Sequence, residues 1–422
     1  MKRYMFLYVL LISFILSGCT AVSTGETGIT NSKYEETVIN NNFQNPKQYG
    51  YLYPIEKDGG YAYINKKGEP ILSNIPKEEG VPAIVYAVVQ TPLGFYNYLG
   101  NTIKTEYNII SGGDSEGYVL VKHEGKYGYI NLFGEVVIEP KYTELSSFSG
   151  DFATAKESEE GEMLVLNRMG DIVLKGKEQA IVKNASSHFD SYSLNNNGNK
   201  MSLNGFSKFG NGLRIAYTSK YPEMEWNLAD YIYLDMFNRV AIDASKTGTF
   251  KLGTTLQNHI FSEGMACFKN DSGWGFINTA GDVIIPPIYK RTYPFRENKA
   301  VVVNEDNKFG VIDKVGKVII DFKYDYIKSF SEGKAAFLKD GLYGFIDSNG
   351  TVLFDPQFLE VDYWLGDVCQ VRFSDKRCGY INTAGDVLWK SQSIVDNRPI
   401  QFFSLVDDPH MNDVKDGVIP SK

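Results

Sequence analysis

The sequence predicts an all-β fold, a tandem array of about ten three-stranded β-meander repeats of ~35 residues, set as propeller-like blades or as an open β-superhelix. Three observations carry this expectation. The 422 residues are 14% aromatic, with 28 Tyr and 26 Phe, side chains that suit a pleated, half-buried surface. An Asn or Asp recurs with a Gly three residues on, between apolar runs of strand length. The recurrence also keeps a period, which marks an array whose units bury their faces on one another.

The clearest copies are "GYINLFGEVVI" (128–138), "GFINTAGDVII" (275–285), "GVIDKVGKVII" (310–320), "GFIDSNGTVLF" (344–354) and "GYINTAGDVLW" (379–389). Weaker ones occupy 63–72, 95–103, 165–174, 193–201 and 233–242. Their Asn/Asp positions are Asn65, Asn97, Asn131, Asn167, Asn195, Asp235, Asn278, Asp313, Asp347 and Asn382. Successive intervals are 32, 34, 36, 28, 40, 43, 35, 34 and 35 residues, so the irregularity is confined to the middle.

Within a unit, two strands flank a short loop in which Asn or Asp caps the turn and Gly takes the positive φ that other residues resist. A third strand lies upstream, in "KAVVVNED" (299–306) and "KAAFLKD" (334–340). A Pro and an aromatic follow the last strand in "EPKY" (139–142), "PPIY" (286–289) and "DPQF" (355–358), and the proline is expected to end the pairing because it has no N–H to donate. "FSEG" then closes the unit at 261–264 and 330–333. Trp274 falls in the slot held elsewhere by Tyr127, Phe309, Tyr343 and Cys378, so it reads as a packing position repeated once per unit.

The aromatic followed by Gly, the apolar pair, the Asn or Asp and the trailing Pro-x-x-Tyr and Phe-Ser-Glu-Gly together resemble the WG-repeat family of bacterial β-repeats. The match is strong over 259–390, clear over 118–150 and faint elsewhere, and 176–258 departs from it. Only Trp274 keeps the family's tryptophan. The resemblance implies a repeat architecture met in exported or modular bacterial proteins, with no catalytic residues, and it names no ligand.

The N-terminus, "MKRYMFLYVLLISFILSGC", has two cations, an apolar core of signal-peptide length, and small residues before a cysteine. Leu16-Ser17-Gly18-Cys19 resembles the lipobox of bacterial lipoproteins, which implies cleavage after Gly18 and lipidation of Cys19. Two acyl chains anchor stably where one is marginal. Loss of Lys2 and Arg3 leaves 41 basic against 51 acidic residues, a balance that argues against nucleic acid as a partner. Residues 1–18 thus read as signal, 19–48 as a polar tether, 49–175 as repeats, 176–258 as degenerate repeats with long loops, 259–390 as well-formed repeats and 391–422 as a tail.

The chemistry-bearing residues are sparse. "GDSEG" (113–117) matches the Gly-x-Ser-x-Gly nucleophile elbow, but Gly117 lies 14 residues before Asn131, just as Gly264 precedes Asn278 and Gly333 precedes Asp347, so Ser115 belongs to the repeat's own turn. His123, His188, His259 and His410 share no ligand spacing, and no cofactor or metal is expected. The acidic run Glu157–Glu162 lacks calcium-loop spacing and reads as a solvated connection. A turn near Asp375 would pair Cys378 with Arg372 rather than with Cys369, which disfavours a disulfide between the two cysteines. Trp226 and Trp364, off the standard aromatic slot, are the candidate exposed ligand contacts.

The function expected is a non-enzymatic binding or adaptor module, held by Cys19 on the extracytoplasmic side of a bacterial membrane and presented to a protein or a cell-envelope polymer. The alternative is a lipid-anchored envelope hydrolase with a loop-built site. A mere spacer would require uniformly polar faces.

Overall fold

The structure is a computed structural model and describes residues 50–392, apart from 77–84, 87, 92–93, 111–116, 149–151, 178–180, 184–191, 197–198, 204, 207–210, 219–229 and 244–258. All lie in the compact unit Gln44–Lys422. Among them the strands form nine antiparallel sheets of three or four strands and one of two. Eight of the larger sheets are the blades of a propeller.

A representative blade runs Arg291–Thr292, Ala300–Val303, Phe309–Ile312 and Val318–Tyr324, each strand paired with its sequence neighbour. The expected meander is therefore present, and most blades gain a further two-residue strand upstream of it. The Asn-x-x-Gly turns form as expected. In one, Asn278 Oδ1 accepts the backbone N–H groups of Ala280 and Asp282 at 3.0 and 2.9 Å, and Gly281 takes φ +89°. Where the glycine is replaced, Asn238 holds φ +61°, a conformation its short polar side chain tolerates.

The prolines do not end the pairing. Pro140, Pro286, Pro287 and Pro356 all lie inside the last strands Val136–Tyr142, Val283–Tyr289 and Val352–Phe358. There the register slips: the three residues from Trp274 to Phe276 face the five from Ile285 to Tyr289. A bulge on an edge strand needs no ladder donor, so proline is admitted and also blunts the edge against further pairing.

That bulge explains the glycine of the aromatic-Gly pair. A Cβ on Gly275 would lie 2.4 Å from the Ile285 carbonyl oxygen and 2.8 Å from Pro287 N, and Gly128 and Gly344 are closed off in the same way. Across the bulge the aromatic slot meets the trailing aromatic, Trp274 opposite Tyr289, Phe309 opposite Tyr324, Tyr343 opposite Phe358 and Tyr127 opposite Tyr142.

The array closes. Tyr53, Ile55, Ala62 and Ile64 of the first blade pack with Leu365, Val368 and Tyr380 of the last. At this seam the Tyr53 hydroxyl donates to the Leu365 carbonyl, and the Tyr380 hydroxyl donates to that of Pro54 at 2.9 Å. Burial, with Glu332 nearby, pushes the Tyr51 hydroxyl up to about 12, and burial raises Tyr53 and Tyr380 further, so all three stay protonated at neutral pH.

Two places depart from the simple array. The two-stranded sheet Val88–Thr91 and Gly94–Asn97 is inserted between the first blade and the next, with Val89 packed beside Leu52 and Tyr63, and Val88 beside Val119 and Ile130. In the middle, Asn195 was expected to head an Asn-x-x-Gly turn but lies in a strand opposite Lys200, within the three-stranded sheet that spans 181–203. The blades before and after that sheet touch each other directly, because Phe237 packs on Met163 and Val165.

The chain alternates between two faces. The Phe-Ser-Glu-Gly segments and Asn-x-x-Gly turns share one, where Lys314 reaches Glu263 at 3.6 Å. The other connections share the opposite face, where Lys308 bonds Asp325 and Lys290 bonds Asn307, both at 2.6 Å.

Candidate functional site

The repeated motif residues are occupied by blade-to-blade contacts. Ser331 Oγ donates to the Trp364 carbonyl at 2.6 Å, while the Glu332 carboxylate accepts the N–H groups of Gly366 and Asp367 at 2.5 and 2.8 Å. Two blades earlier, Ser262 donates to Phe295 at 2.7 Å, and Glu263 accepts from Glu297 and Asn298 at 2.6 and 2.8 Å. Hydrogen bonds to an ionised acceptor are the stronger kind, so Ser-Glu-Gly acts as a latch onto the next unit. The sequence predicts only a closing turn here. Its reach, about one period ahead, is invisible to local pattern.

Trp364 corrects the sequence reading. It is 1% exposed, with ring centroids 5.1 Å from Phe345 and 6.1 Å from Phe354, so it is core and not an exposed contact. A signal for this exists: Phe261, Phe295, Phe330 and Trp364 recur at 34, 35 and 34 residues, a second aromatic slot that heads each latch. Trp274, as expected, is buried, its ring 5.3 Å from His259. Trp226, Gly18, Cys19, Ser115, His188 and His410 lie outside the described residues.

His259 is fully buried between two blades, Nδ1 3.0 Å from the Cys267 carbonyl and 3.3 Å from the Tyr231 hydroxyl. Burial lowers its pKa to about 4, against the raising effect of the Cys267 carbonyl and with a smaller lowering by Lys269. An unfolded imidazole gains a proton near pH 6.5 while the folded one stays neutral. The contribution is therefore complete above pH 6.5 and is lost as the pH falls towards 4, by up to about 3 kcal/mol. Urea midpoints should fall between pH 7.5 and 4.5, and a His259→Gln variant should lose much of that slope; an equal slope in both would refute this account.

His123 is exposed, edge-on to Tyr107 at 5.2 Å. Cys267, Cys369 and Cys378 are free and buried, and Cys378 pairs with Arg372 as expected. Among the described residues no three His, Cys, Asp or Glu converge to hold a metal ion, and Glu157–Glu162 is a mostly exposed loop. A recess of about 240 Å³ is lined by Glu144, Leu145, Ser146, Thr154, Ala155 and Met163, with a single carboxylate and no imidazole. The blade tips are not uniformly polar, since Leu99, Phe133 and Met169 are each about half exposed.

With this geometry in place, the repeat can be identified. Four segments match the WG containing repeat, residues 127–159, 274–308, 309–343 and 343–376. Each WG containing repeat begins at the aromatic slot, in the middle of a blade, so the sequence unit is offset from the structural blade. No curated protein shows significant similarity to the chain. Among solved structures, the computationally designed Ika8 protein is similar at 12% identity over 68% of this chain and 87% of its own, with a TM-score of 0.32. A eukaryotic initiation factor aligns at 10% identity over 82% and 96%, TM-score 0.30, and BamB from Moraxella catarrhalis at 12% over 79% and 94%, TM-score 0.25. Superpositions this loose carry no argument about function.

Proposed function

We propose that this propeller of WG containing repeats is a lipid-anchored, extracytoplasmic binding or adaptor module, non-catalytic, for a protein or cell-envelope polymer. One observation carries the reading: the motif residues Trp274, Ser262, Glu263, Ser331 and Glu332 are occupied in packing the ring, which leaves a rigid scaffold with variable connections on two faces. The lipobox-like Leu16–Cys19 supports the anchor.

The test is capture by the full-length protein, solubilised from membranes and immobilised, of detergent-solubilised envelope proteins and of isolated wall polymer. A component retained by the native protein and not by a heat-unfolded sample is expected. Retention no greater than that control overturns the binding reading. In parallel, Cys19→Ala should move the protein from the membrane to the soluble exported fraction, and a variant still bound to membranes would remove the anchor.

A further inference from the structure

Three consecutive turns of the ring carry large apolar residues at the same position, the one before the turn glycine. Leu99 is 52% exposed, Phe133 52% and Met169 50%. At the equivalent position elsewhere stand Lys67, Ala280, Asn349 and Ala384, an isolated Val315, and the buried Phe237. Packing does not account for the first three side chains, about half of whose surface stays open to solvent.

The turns are neighbours in space. Asn97 Nδ2 donates to the Leu132 carbonyl at 3.3 Å, tying the Leu99 turn to the Phe133 turn, and a Cβ on Gly170 would lie 3.1 Å from Ile138 in the last strand of the Phe133 blade. The charges around them are already occupied. Glu135 accepts from Asn131 Nδ2 at 2.7 Å, Asp171 accepts from Asn167 Nδ2 at 3.0 Å, and the Arg168 guanidinium lies 4.7 Å from the Phe148 ring. The arc is thus apolar at its tips, with two carboxylates and one guanidinium beneath, and among the described residues it lacks the basic patch that anionic lipid would select.

The chain enters the ring beside this arc. Gly50 lies against Tyr98, the residue next to Leu99, with 3.8 Å from its would-be Cβ to the ring, and the strand Tyr51–Lys57 leads away from there. Only 30 residues separate Cys19 from Gly50, so a bilayer that holds Cys19 is tethered to the ring at this entry point. An anchored chain of that length holds the nearest face at high effective concentration against the bilayer.

We propose that the Asn-x-x-Gly face is the membrane-facing side of the ring, with Leu99, Phe133 and Met169 dipping into the lipid interface and the opposite face directed outwards. This rests on the lipid-anchor reading above. Separate apolar tips set among polar turn residues suit the ~5–10 Å headgroup boundary, where apolar groups are buried without a continuous hydrophobic patch. The contact needs no anionic lipid, and it leaves the connections of the opposite face free for a partner.

The test uses the full-length protein, purified from membranes and reconstituted into phosphatidylcholine vesicles, with single reactive cysteines at Leu99→Cys, Phe133→Cys or Met169→Cys, and Glu305→Cys as control on the opposite face. The buried Cys267, Cys369 and Cys378 stay unlabelled while the protein is folded, which also reports folding of each variant. A polarity-sensitive fluorophore at 99, 133 and 169 should be quenched by nitroxide lipids at least about threefold more than one at 305, and shielded from aqueous iodide. Equal iodide quenching at all four sites, in protein that still floats with the vesicles, overturns the inference and leaves the anchor standing. Protein that does not float removes both. Shielding in native membranes but not in protein-free vesicles would mean that a protein covers the arc, which also overturns the lipid assignment.

Discussion

Replacing Trp364 with alanine should remove about 3–5 kcal/mol of folding stability, the usual cost of deleting a large buried aromatic. The indole is 1% exposed and packs with Phe345, Phe354, Phe358, Val361 and Cys369, where the last two blades meet. The surrounding strands are held by ladders and latches and cannot collapse into the space. Trp364→Phe should cost far less, about 1 kcal/mol, because the indole Nε1 is buried with no acceptor and its removal relieves a desolvated donor. Urea midpoints and their slopes give both values. A Trp364→Ala protein of unchanged midpoint that had lost its partner would show the tryptophan to be a contact after all.

The second large effect is expected at a residue with no side chain. Gly275→Ala would place a methyl group 2.4 Å from the Ile285 carbonyl oxygen and 2.8 Å from the backbone of Pro286 and Pro287, and none of these can move without opening the bulge. A loss of about 2–4 kcal/mol follows, the range for overpacking against backbone. Gly264→Ala is the control, since its Cβ would meet nothing within 4 Å, although φ +81° costs an alanine about 1–2 kcal/mol. The Gly275 variant should therefore be the less stable of the two. The reverse order would mean that the aromatic-Gly pair is kept for the conformation of its backbone and not for the closeness of the facing strand.

Much of a single blade was legible in the residues. Asn278 and Gly281 announce their turn because an Asx cap and a positive-φ glycine act within four residues of chain. The apolar runs on either side announce strands for the same local reason, and the slot shared by Tyr127, Trp274, Phe309 and Tyr343 announces a packing position by recurrence alone. The same reasoning failed at Asn195, which lies inside the strand Tyr192–Asn196 and pairs with Lys200 rather than closing a turn with the residue four places on. It failed at Pro286 and Pro287 because the cost of a missing N–H depends on whether a ladder partner faces it, and at the edge bulge none does.

The candidate site fared differently. Trp364 looked like an outlier because it was compared with the wrong slot; counted from Phe261, Phe295 and Phe330 it is regular. Leu99, Phe133 and Met169 are ordinary apolar letters inside weak or standard repeats, and only the solvent left around them distinguishes them from Phe237, which holds the same position and is buried.

By itself the sequence determined the unit: its period, its turns, its alternation of buried and exposed residues, and the aromatic rows that stack from one unit to the next. These depend on contacts a few residues apart or one period apart, and they repeat, so each copy reports on the others. Only the tertiary structure decided that the ring closes, with Tyr53 meeting Leu365 across 312 residues, and that Glu332 latches onto Gly366. The physical reason is that closure depends on the small rotation from each blade to the next, summed around the whole ring. That sum is set by packing between blades, and no stretch of local sequence records it.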